Sequence, residues 1–230
     1  MTEANSQRLE AKDVDIRYGA EFVLRTAQLS IPVGGLHLLI GRNGAGKSSL
    51  LRSMAGLQPI QRGVIALNGH NVHSMSAAER AKRVAFVAST PPRTSQLRVE
   101  EVLGLASSST ARAAEVLAMF GETAWAQQRM DALSDGQAQR VMFARAVLQE
   151  TPWIFMDEPT AFLDVPSRKA FWKHAVDVAV QGTTIVLATH DYEHLAGAVK
   201  LASVHLVAAQ SVKALDPSGP PQGWTERMQD

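Results

Sequence analysis

Alternating apolar and polar positions mark the start of the chain. Val14, Ile16 and Tyr18 alternate with charged or polar neighbours, and Leu24, Ala27, Leu29 and Ile31 continue the pattern beyond the Gly19-Ala20 break. This predicts an antiparallel hairpin. Leu38-Leu39-Ile40 is a short buried-strand pattern that runs into a glycine-rich turn. Leu50, Leu51, Met54 and Ala55 then recur at helical spacing from Lys47, and Gly56 is placed to end that helix. Val64, Ile65 and Leu67 lead into Asn68-Gly69, a pair suited to a turn in which both residues have positive φ. Ser76 and Glu79 have the spacing of a capping box opening a short helix to Arg83. Val84, Phe86 and Val87 predict a further strand, and the prolines of Ser89 to Gln96 exclude helix from the loop after it.

From Val99 to about Trp125 the apolar positions take helical spacing, with Val102, Leu103 and Leu105 in one piece and Val116, Leu117, Met119 and Phe120 in another. The Ser107-Ser108-Ser109-Thr110 run separates them. A strong helix is expected from Gln137 to Gln149, with Val141, Phe143, Ala144 and Val147 on its apolar side. Strand signals return at Trp153 to Met156, Thr184 to Ala188 and Ser203 to Val207. Pro166 is placed to start a helix that Gly182 would end, and Tyr192 to Val199 reads as a short helix. Strand-helix alternation interrupted by a helical stretch gives an α/β fold with a helical subdomain at about 95–150. Residues 211–230, with Pro217, Gly219, Pro220, Pro221 and Gly223, read as an irregular tail.

Composition narrows the class. The chain has 230 residues, 46% of them hydrophobic and 20% charged, with a formal net charge of +1. That is ordinary globular material with no electrostatic footprint for nucleic acid. The absence of cysteine excludes disulfides, thiolate metal sites and cysteine nucleophiles. Apolar runs are too short to cross a bilayer, and the polar start of the chain does not resemble a secretory signal. A cytoplasmic, reduced, soluble chain is the expectation.

The chemistry-bearing stretch is Gly41-Arg42-Asn43-Gly44-Ala45-Gly46-Lys47-Ser48, which fits G-x-x-x-x-G-K-[ST] between a strand and a helix. Glycines at 41, 44 and 46 let backbone N–H groups approach phosphate oxygens, and the helix start directs its positive dipole end at the same anion. Lys47 adds a full charge near the β- and γ-phosphates, and the Ser48 hydroxyl suits Mg²⁺, which prefers oxygen donors. This is a phosphate cradle for a nucleoside triphosphate.

Two further segments gain meaning from it. The strand Trp153 to Met156 delivers Asp157 and Glu158 to a sheet edge of the kind where α/β proteins bind ligands. The first acid can hold a Mg²⁺ shell and the second can orient or deprotonate a water. The same pair could simply cap the next helix. Leu133-Ser134-Asp135-Gly136-Gln137 opens a helix and reads either as a second anion site or as an ordinary N-cap. Tyr18 can be a packing tyrosine or a stacking surface, and His190 after an apolar strand can be structural or functional.

Taken together, these motifs resemble the nucleotide-binding subunits of ABC transporters, in order from about residue 9 to 207. Gly41 to Ser48, with Ser49 after it, is similar to Walker A, Leu133 to Gln137 to the family signature, and Phe155-Met156-Asp157-Glu158 to Walker B. Ala161-Phe162-Leu163-Asp164 resembles the D-loop, His190 the switch histidine, and Tyr18 stands where the family stacks adenine. The resemblance implies a P-loop NTPase of the ABC ATPase type, with a mixed central sheet, an antiparallel β subdomain and an inserted helical subdomain. About 1–94 and 151–210 would form the RecA-like core. It implies a head-to-tail homodimer clamping ATP and Mg²⁺ between one subunit's Walker A and its partner's Ser134, Gly136 and Gln137. Glu158 would be the catalytic base, His190 would contact the γ-phosphate, and Asp164 would join the nucleotide site. Transmembrane permease subunits would be partners, with a substrate-binding protein engaged indirectly, no nucleic acid bound, and the chain on the inner face of the cell membrane.

Two positions depart from the family pattern. Ser89 stands where a glutamine usually touches Mg²⁺ and senses the membrane partner. It is a shorter candidate ligand, and Gln96 lies too far along the loop to replace it. Asp135 stands where glycine is commoner, and a carboxylate near phosphate repels unless it points away. The run from Glu158 to Asp164 looks most like the ATPases of bacterial importers for iron-siderophore complexes, haem or cobalamin. The alternatives are an exporter ATPase, a soluble ABC regulator or DNA-repair ATPase, and a P-loop small-molecule kinase, which would leave the signature segment without a purpose.

Overall fold

The computed structural model describes residues 7–92, 95–161, 163–190, 192, 200–219 and 223–224. The predicted hairpin forms from β1 (Arg8–Tyr18) and β2 (Glu21–Pro32), whose buried positions alternate with exposed ones. Strand β3 (Gly35–Ile40) runs into helix α1 (Lys47–Met54), followed by β4 (Arg62–Leu67) and the short β5 (His70–Asn71). Asn68 and Gly69 both have positive φ in the turn between β4 and β5, as the sequence required. The capping box of Ser76 and Glu79 is present at helix α2 (Ala77–Ala81), which precedes β6 (Val84–Val87). Helices α3 (Val99–Gly104), α4 (Thr110–Met119) and α5 (Asp135–Leu148) follow, and Ser109, the last serine of the separating run, caps α4. The chain returns through β7 (Trp153–Asp157), α6 (Val165–Val180), β8 (Thr184–Thr189), β9 (Ser203–Ala208) and β10 (Ser211–Leu215).

Among the described residues the strands make two sheets. One is antiparallel, in the order β2-β1-β4-β5, and the other is mixed, in the order β10-β9-β3-β8-β7-β6. In the mixed sheet β9, β3, β8, β7 and β6 are parallel and only the edge pair of β9 and β10 is antiparallel. Parallel strands covered on both faces need continuous apolar runs, and every residue of β7 and of β8 is buried. Side chains alternate between two cores. Leu38, Ile40, Ile154, Met156, Ile185 and Leu187 face the helices α3 to α6, whereas Leu39, Trp153, Phe155, Val186 and Ala188 face α1 and the antiparallel sheet. Helix α1 is therefore held between the two sheets.

The tail departs from expectation. Ser211–Leu215 is a strand rather than irregular chain, paired to β9 from Ser211↔Ala208 to Leu215↔Val204. Its turn uses Ala209 and Gln210, both with positive φ, so it lacks the glycine or asparagine that signals a two-residue hairpin. The helix expected at Tyr192 to Val199 lies outside the described residues, apart from Tyr192. No described helix is long and apolar enough to cross a membrane.

Candidate active site at the ends of β3, β7 and β8

Three neighbouring parallel strands end together. Ile40 pairs with Thr189, and Asp157 with Ala188, so the loops after β3, β7 and β8 emerge side by side at the carboxyl edge of the sheet. Gly41 begins the first loop at φ 156°, and a Cβ there would stand 2.3 Å from the Val207 carbonyl oxygen. Only glycine fits that approach to β9. Gly46 is the N-cap of α1 with φ 101°, and no side chain caps this helix or places an acid in its first turn. Helices α2, α5 and α6 all have side-chain caps. The first N–H groups of α1 thus lack the side-chain partner that the other caps supply, and they carry the dipole's positive end.

Lys47 is buried, and its ammonium donates to the carbonyls of Gly41 at 2.9 Å and Arg42 at 3.3 Å while lying 3.3 Å from Glu158 Oε1. The other Glu158 oxygen, Oε2, accepts from His190 Nδ1 at 2.9 Å and from the His190 backbone N–H at 3.3 Å. Because a carboxylate only accepts, that contact places the proton on Nδ1. Glu158 has φ 44°, a left-handed conformation that a long side chain adopts at a cost and that clusters at functional sites. Its N–H donates to the Ala188 carbonyl at 2.8 Å. The strained turn therefore lifts the carboxylate out of the strand direction and sets it between a lysine and a histidine.

Asp157 is buried at the end of β7 and accepts from the Ser48 hydroxyl at 2.7 Å, with Arg52 3.4 Å from its other oxygen. Burial pushes its carboxyl above the usual range, against the opposing pull of Ser48 and Arg52. Ser48 and Arg52 lie one turn apart on α1, which is why both reach the same carboxylate. Arg52 was not singled out from the sequence, and its i,i+4 spacing from Ser48 was the available signal. Two oxygen donors beside a phosphate cradle suit Mg²⁺, which takes few protein ligands and keeps waters and phosphate oxygens.

Of the remaining predicted residues, Asn43, Gly44, Ala45 and Ser49 share the loop and helix of Lys47. Asn43 and Gly44 are exposed on the loop, Ala45 is half-buried and Ser49 is buried. Tyr18 ends β1 with 72% exposure. The neighbouring Phe22 ring has the guanidinium groups of Arg17 and Arg25 at 4.0 and 4.1 Å. Ser134 and Gln137 form a capping box with each other, Ser134 N–H donating to Gln137 Oε1 at 2.8 Å and Gln137 N–H to Ser134 Oγ at 3.2 Å, with Gly136 buried beside them. Asp164 caps α6 by accepting from the Ser167 N–H at 2.9 Å, and that interaction holds its carboxyl below the usual range. Ser89 is half-buried after β6 and, among the described residues, makes no side-chain hydrogen bond. Phe162 lies outside the described residues.

Comparison with known proteins agrees with this geometry. Residues 24–161 match the family described as ABC transporter. The chain is 32% identical over 208 residues to the iron(3+)-hydroxamate import ATP-binding protein FhuC of Bacillus subtilis, covering 82% of this chain and 75% of the relative. It is 31% identical over 223 residues to the hemin import ATP-binding protein HmuV of Thermobifida fusca, covering 93% and 77%. A solved ATP-binding subunit of an ABC transporter superposes with a TM-score of 0.82 at 26% identity, over 97% of this chain and all of the other. With phosphate loop, strand-end acids and histidine in one cluster and the family matched over more than half its length, the chain belongs to the ABC transporter family, as an ATP-hydrolysing subunit.

Proposed function

We propose that the chain powers a bacterial importer of metal chelates of the siderophore, haem or cobalamin class, as an ATP-clamped homodimer beneath permease subunits. One observation carries the reading: the Glu158 carboxylate is shared between Lys47 and His190 at the ends of adjacent strands. Glu158 is positioned to take a proton from a water attacking the γ-phosphate, and His190 to fix that carboxylate and meet the phosphate oxygens. Lys47, the glycine-loop N–H groups and the α1 dipole bind the triphosphate, and Tyr18 offers an exposed ring for the adenine. Ser48 and Asp157 would hold Mg²⁺, which supplies charge neutralisation at the β- and γ-phosphates when bound; Ser89 is a further, shorter donor for it. Ser134, Gly136, Gln137 and Asp164 would serve the nucleotide held by a second copy of the chain. The iron-hydroxamate and hemin relatives support the importer class.

The chain would then sit on the inner face of the membrane through its permease, which in turn receives cargo from a substrate-binding protein. Co-purification from membranes tests this. The expected result is recovery of the chain with a multi-span membrane protein whose presence changes its ATP turnover. Recovery with nucleic acid and no membrane partner would overturn it.

A further inference from the structure

The signature-bearing helix is tied to the central sheet by a side chain that the site above does not use. Gln139, on α5, has 1% exposure. Its Nε2 donates to the Ala88 carbonyl at 2.9 Å, at the residue that follows β6 and precedes Ser89. Its Oε1 is buried without a hydrogen-bond partner among the described residues. The amide orientation is set by the chemistry, because a carbonyl needs a donor.

Stability alone does not account for a glutamine here. Ala88 as a residue is exposed, and the buried amide oxygen left unpaired at Gln139 is a cost that methionine or leucine would not incur. The adjacent polar residue, Arg140, acts differently. Its Nε lies 3.1 Å from Glu122 Oε1 and its guanidinium 4.9 Å from the Trp125 ring, all within the helical stretch. The Gln139 bond instead leaves that stretch for the end of a core strand.

We propose that Gln139 is a positioning residue, a strut through which movement of α5, with Ser134 to Gln137 at its head, is passed to the Ala88-Ser89 turn and back. The strut grips backbone, so it operates whatever side chain occupies position 89. The proposal rests on the ATPase reading above for its consequence in turnover, and on geometry alone for the strut itself.

The test uses the full chain with Gln139→Met and, should that variant not fold, Gln139→Leu. Amide hydrogen exchange at Phe86, Val87 and Ala88, at the end of β6, is measured together with melting temperature and with kcat and KM for Mg-ATP. The expected result is an unchanged or raised melting temperature, at least tenfold faster exchange at those three amides, and unaltered exchange in α1. kcat falls at least tenfold while KM stays within twofold, because the phosphate loop is untouched. Wild-type exchange in a folded variant would overturn the strut. Faster exchange with wild-type kcat would overturn its positioning role. A wild-type chain that hydrolyses no ATP would instead defeat the ATPase reading, while the exchange measurement still decides whether the strut exists.

Discussion

His190 Nδ1 lies 2.9 Å from Glu158 Oε2, so the residue after β8 holds the carboxylate that follows β7. The two strands are hydrogen-bonded neighbours, and the left-handed backbone of Glu158 turns its side chain toward the histidine rather than along the sheet. This makes the histidine a clamp on the carboxylate proposed as the base.

Replacing that clamp should affect chemistry more than folding. His190 has 52% side-chain exposure, so His190→Ala is expected to leave the melting temperature within experimental scatter while lowering kcat by about 10²-fold. ATP affinity measured by equilibrium binding should change by only a few-fold. Equal losses in kcat and affinity would show that the histidine serves binding instead.

Lys47 should behave in the opposite way. Its ammonium is buried against the loop carbonyls and Glu158, where the proposed triphosphate would sit. Lys47→Ala removes a charge-assisted hydrogen bond worth about 1.5–3 kcal/mol, and equilibrium titration with ATP should show weakening by about 10- to 100-fold.

Gly41 offers a test of the loop's geometry. Gly41→Ala would press a methyl group against the Val207 carbonyl oxygen, and denaturant unfolding should show a loss of about 2 kcal/mol or more. Gly121→Ala is the comparison: φ is positive there too, at 75°, but nothing lies within 4 Å of the added carbon. Only backbone strain of about 1 kcal/mol should appear.

A buried histidine pair sets an acid limit on stability. His37 donates from Nε2 to the Gly34 carbonyl at 2.9 Å, so its Nδ1 accepts from the Ser203 hydroxyl at 2.8 Å, and that oxygen in turn accepts from His205 Nε2 at 2.9 Å. Burial lowers both imidazoles to about 4. The unfolded chain takes up these protons near pH 6.5 and the folded chain only near 4, so stability is full above about pH 6.5 and falls as pH drops toward 4. The loss is bounded by about 3.5 kcal/mol per histidine. Unfolding free energies measured from pH 7 to 4.5 should fall, and fall less steeply for His205→Gln, which keeps a hydrogen-bonding group without the titration. An equal slope in the variant would count against this assignment.

Much of the architecture could be read from the chain because its signals are local. Leu38 to Ser48 carries strand, turn and helix start in one fixed spacing, and the continuous apolar runs at Trp153 and Thr184 announce strands buried on both faces. Long-range features left weaker traces. The β9–β10 hairpin turns on Ala209 and Gln210, which carry no turn signal. The left-handed conformation of Glu158 depends on the Ala188 carbonyl that receives its N–H, a partner distant in sequence. Arg52 and Gln139 look like an ordinary surface cation and an ordinary helix polar residue until β7 and β6 are placed beside them. Ser134 to Gln137 is the reverse case, since its capping box needs no more than its own residues and gives the same local pattern with or without a partner's nucleotide.

Glu158 is proposed as the base of an ATPase whose site closes between two copies of the chain. Its most direct test is Glu158→Gln with Mg-ATP, followed by product analysis and sedimentation in one preparation. ATP is expected to bind with affinity within a few-fold of wild type, turnover to fall by at least about 10²-fold, and the variant to sediment at twice the monomer mass with the nucleotide retained. Wild-type turnover in that variant, or tight ATP binding to a chain that stays monomeric, would contradict it.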